Sequence, residues 1–375
     1  MQQLDGKFLH YTWWWDIPVF ELEECKLRIG IHRREKKMDH YRIMRRSVLL
    51  MLVCSVSVGL IGQSAPMIPD EAGYRPFRYD SAHQTIFFGY GVLTKSSKPI
   101  RAFNLDGVER GSAINVFKDF PNLDYVVVDD LAAGPDGKTV IAAVLNFGSK
   151  RLKHAILTYS SSGELLELWD TEPYYDHGIA TDDAGNVFAL GNRLDQSLTV
   201  KTPYPLLIEY GPSGQVLHES LSSALFKNGP SAINEAQMPP NPILMVRDDR
   251  VLIYAPTEAE FLVCSRDGAI IRRFSLAGVL KDITVADQVK SVEIRNIILG
   301  DENRLVFDLM EDVGSDKPKI PITVAVNLHD GTNEKMIKSI LRTWLAVGIR
   351  DNKLVVLDRN GSKDFASIKS FDLPF

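Results

Sequence analysis

A tight polar turn followed by a β-branched or aliphatic run recurs along this chain. It occurs in "SAHQTIFFGY" (81–90), "PDGKTVIAAV" (135–144), "DAGNVFALGN" (183–192), "RDDRVLIYAP" (247–256), "DENRLVFDLM" (301–310) and "RDNKLVVLDR" (350–359). The apolar runs start at 85, 139, 187, 251, 305 and 354, spaced by 54, 48, 64, 54 and 49 residues. Runs this short, bounded by Gly, Asp and Asn, predict strands.

Each copy is followed by a second strand signal: "IRAFNLDG" (100–107), "HAILTYSSSG" (154–163), "LLIEYGPSG" (206–214), "EFLVCSRDG" (260–268), "ITVAVNLHDG" (322–331) and "SIKSFDLPF" (367–375). Five of these close in Asp-Gly or Ser-Gly, a hairpin turn signature. Another short run follows, as in "ELLELWD" (164–170), and one precedes each polar turn, as in "YVVVDDLAA" (125–133). Four strands per repeat at this period predict an all-β, six-bladed β-propeller with four-stranded antiparallel blades. An open ring leaves exposed sheet edges, so residues between Pro66 and Tyr79 are expected to close it against the C-terminal blade. Residues 226–245, rich in Pro, Asn and Gly, predict an extended loop and account for the longest spacing.

The stretch "DDAGN" (182–186) is the polar turn of the third copy, with Gly185 taking a conformation that residues bearing a Cβ avoid. It lacks the alternating acidic ligands and distal Glu of a calcium loop.

Its surroundings, "HGIATDDAGNVFALGN" (177–192), resemble the signature of NHL-type propellers, and residues 70–375 are similar to bacterial six-bladed NHL-like or TolB-like propellers. That resemblance implies a binding scaffold or a lyase, since the group includes peptidylglycine-amidating lyase and streptogramin lyase. In those enzymes the histidine of a similar His-Gly pair stands beside the central channel near a metal, which by resemblance is His177 here. The lyases bring histidines from several blades, whereas this chain has one His-Gly pair.

In a propeller the innermost strands line the axial channel, and their starting ends open on the usual ligand face. The residue ten positions before each apolar run is Arg75, Asp129, His177, Asn241, Arg295 or Trp344. This ring is the expected ligand site, since convergent polar groups in a concavity mark binding sites. Lysines and arginines in "TKSSKP" (94–99), "GSKRLK" (148–153), "GNRLDQSLTVK" (191–201) and "SDKPK" (315–319) fall on loops of the same face. Nucleophile elbows, zincin motifs, phosphate loops and CxxC pairs are missing. Of the other histidines in the repeats, His83 is expected in an outer turn, His154 and His218 in third and fourth strands, and His329 before an Asp-Gly turn. General acid–base work falls to Asp129 with Asp130, or to Asp176 with His177.

Composition narrows the partners. The chain is 45% hydrophobic and 24% charged, and residues 65–375 hold 33 Lys/Arg against 41 Asp/Glu. An acidic body without a basic stripe excludes nucleic acid. Cys25, Cys54 and Cys264 are too few for a disulfide framework. Before the repeats, "MRRSVLLMLVCSVSVGLIGQSA" (44–65) reads as a signal peptide: a basic start, a short apolar run, and Gly62 and Ser64 at the small-residue positions before Ala65. Residues 1–43 then read as a mis-assigned upstream extension, 44–64 as the signal and 65–375 as the propeller. The apolar run is too short for a stable span after cleavage. Together these features predict a periplasmic or secreted module, without cofactor or catalysis, whose partner is an exported protein or a carbohydrate or peptide ligand. The alternative is a metal-assisted lyase or hydrolase in the axial channel, using zinc or calcium at His177. N-terminal sequencing of exported protein should begin at Ala65.

Overall fold

The computed structural model describes residues 67–69, 78–89, 91–148, 151–195, 202–233, 244–255, 258, 260–275, 291–300, 304–312, 320–327, 333–338, 344–351, 353–358 and 365–372. Among them the strands form six antiparallel sheets. Sheet one comprises β2 (Arg78–Asp80), β3 (Thr85–Phe88) and β5 (Arg101–Asn104). Sheet two comprises β4 (Gly91–Thr94), β6 (Tyr125–Ala133), β7 (Thr139–Asn146), β8 (Leu152–Tyr159) and β9 (Leu165–Asp170). Sheet three runs β10 (Tyr174–Thr181), β11 (Val187–Arg193), β12 (Pro205–Tyr210), β13 (Val216–Ser222). Sheet four runs β14 (Leu244–Arg247), β15 (Arg250–Ala255), β16 (Glu260–Ser265), β17 (Ile270–Ser275). Sheet five runs β18 (Ser291–Leu299), β19 (Arg304–Asp312), β20 (Ile320–Asn327), β21 (Asn333–Lys338). Sheet six joins β22 (Trp344–Arg350), β23 (Lys353–Asp358) and β24 (Phe365–Asp372) to β1 (Met67–Pro69) from the other end of the chain.

The apolar runs of the repeat are the second strands of these sheets, buried nearly throughout: Thr85–Phe88 and Val187–Asn192 have no exposed residue. Such strands need cover on both faces, and the core supplies it as layers between successive sheets. One layer joins sheets one and two through Phe87, Ile100, Leu131 and Leu157. Another joins sheets two and three through Ala132, Ile156, Ile179 and Tyr210. A third runs from sheet three through four to five, with Phe188, Phe261 and Phe307 fully buried. The last joins sheets five and six to sheet one, where Val306 and Val355 meet Tyr79 and Phe103. Each sheet therefore packs on the next and the last on the first, which is the arrangement of propeller blades.

Hydrogen bonds between first strands fix the same order. Asp130 of β6 accepts from the main-chain N–H of Ile179 in β10 (2.7 Å), and Thr181 Oγ1 donates to the carbonyl of Ala133 (2.5 Å). Asn296 of β18 donates to the carbonyl of Ala346 in β22 (2.9 Å), while Asp308 accepts the Ala346 N–H (3.0 Å). Contacts advance in step along neighbouring strands, so the first strands run parallel about the axis. At their far ends Arg350 reaches Asp106 (2.6 Å), tying sheet six to sheet one.

Ring closure follows the expectation for the segment after Pro66. Met67, Ile68 and Pro69 pair with Ser367, Ala366 and Phe365. Two departures from the four-strand expectation are local. Gly91–Thr94, of which the sequence assigns only Thr94, to a loop, crosses to the next sheet and pairs with Val128–Tyr125, burying Leu93. Sheet one is finished on its outer side by bridges from Glu109 to Phe103 and Ile114 to Ile100 rather than by a fourth strand. The expected loop at 226–245 holds a 3-10 turn, Gly229–Ile233, because Ala232 and Ile233 plug fully into the core; residues 234–243 lie outside the described residues. The Asp182 turn is as expected: Gly185 has φ +83° and the Asp182 carboxylate accepts the Asn186 N–H (2.8 Å). Among the described residues no helix is long and apolar enough to cross a membrane.

Buried donors left unpaired cost about 1–3 kcal/mol. Asp308 is 1% exposed. Asp308→Ala should therefore lower the unfolding free energy by that amount, read as a lower urea midpoint at unchanged m-value.

Candidate functional site

Four of the six first strands share one irregularity. Register shifts fall between Val128 and Asp130, Asp176 and Gly178, Ile294 and Asn296, and Ala346 and Gly348. Each is a β-bulge, leaving one residue out of the ladder: Asp129, His177, Arg295 and Val347. Bulges kink a strand and re-aim side chains, and they are frequent beside functional sites.

Three of the four are residues of the expected ring. The fourth bulge falls at Val347, seven rather than ten residues before its apolar run, while Trp344 pairs with Asp358 at the very start of β22. Two residues separate the paired Arg350 and Lys353, whereas five separate Thr181 from Val187 and Ala133 from Thr139. Arg75 and Asn241 lie outside the described residues, and His177, Arg295 and Trp344 are placed by their main chains.

Between sheets two and three the mouth is described in side-chain detail. Asp129 is half-buried and accepts a hydrogen bond from the Tyr175 hydroxyl (3.0 Å). The Tyr175 ring stands edge-on to His154, with centroids 5.1 Å apart. Burial lowers the His154 pKa against the opposing pull of Glu172 and Asp170, so the imidazole is neutral at neutral pH, and its Nδ1 is buried without a hydrogen-bond partner. Tyr175 and His154 were not legible as site residues, because one sits in the first strand of its sheet and the other in a third strand. Only the crossing from β9 to β10 brings them together.

One residue below Asp129, Asp130 turns into the wall and meets Arg78 of β2 (2.8 Å). Burial pushes the Asp130 carboxyl up, opposed by the Arg78 charge and by main-chain N–H donors from Ile179 and Leu131. A narrow cavity lies along the axis here, lined by Arg78, Tyr79, Leu131, Ile179, Leu244 and Met245. Deeper still, Ser81 Oγ donates to Met245 Sδ (3.4 Å) across the ring, from sheet one to sheet four.

Asp176 immediately precedes the His177 bulge. It is 5% exposed, and its Oδ1 has no hydrogen-bond partner. Desolvation raises its pKa to about 7, opposed only by a hydrogen bond with Thr171. A buried carboxyl poised near neutrality suits proton transfer. Among the described residues, no three His, Cys, Asp or Glu side chains gather closely enough to hold a metal ion.

No family model matches the chain, and no curated protein does. Among solved structures it is similar to one from the nidogen/laminin complex, at 13% identity and TM-score 0.40, covering 76% of this chain and 90% of that one. It is similar to a luciferin-regenerating enzyme at 11% identity and TM-score 0.37, covering 84% and 94%. It is also similar to a putative exported protein from Bacteroides fragilis, at 10% identity and TM-score 0.41, covering 78% and 97%. Likenesses this distant carry no argument about activity.

The Asp176 carboxyl binds its proton more tightly in the fold, at about 7, than in the unfolded chain, near 3.8. The unfolded state therefore releases that proton first, and the residue's contribution to stability is fullest below about pH 4, declining until about pH 7. Each unit corresponds to about 1.4 kcal/mol. Asp176→Asn, which keeps the shape without the charge, should be more stable than the parent above pH 7. It should also flatten this decline in denaturation midpoints measured across the range.

Proposed function

We propose that residues 65–375 form an exported six-bladed β-propeller of the NHL-like or TolB-like type that works as a recognition module. In this reading residues 44–64 are a cleaved signal, 1–43 an upstream extension, and the product is periplasmic or secreted. Its partner is another exported protein or a carbohydrate or peptide ligand, met at the mouth where the first strands begin. One observation carries this reading: the same bulge recurs at one level of the first strands and takes Asp129, His177 and Arg295 out of the ladder. A rigid ring with polar positions freed at one end is suited to recognition, since little ordering entropy is lost on binding.

A second reading has one observation in its favour, the buried Asp176 carboxyl titrating near neutrality beside His177. In it, Asp176 exchanges a proton with substrate while His177 holds zinc or calcium, as in a lyase or hydrolase.

Carbohydrate and peptide arrays probed with the purified chain test the first reading. Asp129→Ala and Arg295→Ala should each weaken captured binding by about tenfold, the effect of losing one well-placed polar contact worth about 1.4 kcal/mol, with the urea midpoint little changed. Binding that ignores both substitutions would count against the mouth. Stoichiometric zinc or calcium that disappears in His177→Ala would favour the second reading instead.

A further inference from the structure

At the far end of the axis from the mouth, the turns that link first and second strands come together, and one holds a histidine the proposed function does not use. His83 lies in the β2–β3 turn with its side chain 14% exposed. Its Nδ1 is 2.9 Å from Asp80 Oδ2, and its main-chain N–H donates to Asp80 Oδ1 (3.2 Å). Asp80 is itself anchored, since Oδ2 also accepts the Ala133 N–H from the neighbouring sheet (2.8 Å). Burial alone would raise the Asp80 pKa, but the hydrogen bonds from His83 and Ala133 hold it below its ordinary value, so it is a carboxylate.

That carboxylate assigns the proton of neutral His83 to Nδ1, leaving the Nε2 lone pair free. Nε2 faces Asp183 Oδ1 at 3.9 Å, and the Asp183 side chain, from the β10–β11 turn of sheet three, is fully exposed. Two donors bound tetrahedrally to one zinc ion at about 2.0–2.2 Å each stand about 3.4 Å apart. The observed gap of 3.9 Å is wider than that, and rotation of the exposed Asp183 carboxylate closes it with no movement of the main chain. A buried carboxylate on Nδ1 with Nε2 turned to an oxygen donor is the arrangement that orients histidine ligands toward metals.

We propose that His83 Nε2 and the Asp183 carboxylate bind a divalent cation of the zinc class, completed by water, with Asp80 as the positioning residue. The charged groups around His83 are Asp80, Asp183 and Arg110, whose guanidinium donates to the His83 carbonyl (2.9 Å). Two carboxylates against one guanidinium leave the neutral-imidazole site at net −1, which a divalent ion reverses to +1. The ion ties the turn of sheet one to that of sheet three, across the sheet already held by the Asp80–Ala133 bond.

Titration of the full chain with zinc chloride, followed by calorimetry and by the melting temperature, tests this. One zinc should bind per chain and raise the melting temperature, as any ligand selective for the fold does. Asp183→Asn, at a fully exposed position that leaves the fold intact, should weaken that zinc at least tenfold. His83→Gln should abolish it. Absence of binding by the parent, or zinc retained at parental affinity in both variants, would overturn the proposal. The substitutions lie at the opposite end from Asp129 and Arg295, so either result leaves the mouth reading to its own test.

Discussion

The arrangement depends on buried polar bonds that pass from β2 to β6, from β6 to β10 and from sheet five to β22. Apolar layers between sheets supply most of the free energy, yet oily faces alone tolerate sliding and rotation. Asp130 and the Asn296–Asp308 pair remove that freedom. Asp130 engages the main chain of Ile179, and the pair engages both main-chain groups of Ala346, each beside a bulge. Their burial makes a shifted alternative expensive, because a half-satisfied buried network costs more than an apolar one. The level of the bulges, and with it the geometry of the mouth, is set by these bonds.

Much of this was legible in the chain. Second strands start at Thr85, Thr139, Val187, Arg250, Arg304 and Lys353, each within one residue of the start of its apolar run. The signal is strong because a strand covered on both faces must be apolar at every position, and its turn must be polar. Third strands were legible from the same logic and from the Asp-Gly and Ser-Gly turns. Closure by β1 followed from the cost of a bare edge rather than from any pattern in Met67–Pro69.

What escaped the sequence depended on neighbours distant in the chain. β4 was hidden because four residues with one buried leucine carry no period. The bulges, including the one at Val347, left no mark in the sequence pattern, because they are a matter of backbone conformation and of turn length. The sequence could not separate the surroundings of Asp129 from those of Asp130. Two adjacent aspartates look alike on paper, yet one reaches a tyrosine hydroxyl at the mouth and the other an arginine in the wall. Arg78 reads as one more surface cation until its partner 52 positions away is known.

The pairing of Met67 with Ser367 joins residues 300 positions apart. A contact of such long sequence separation forms late, after its loop-closure entropy has been met by everything between. A chain emerging from its N-terminus can thus assemble five sheets in turn while β1 waits, bare, for β24 to be made. During that interval both strands present unpaired main chain, the kind of edge that captures other chains. Pairing β1 with β24 covers both facing edges at once and so removes the place where another chain could add.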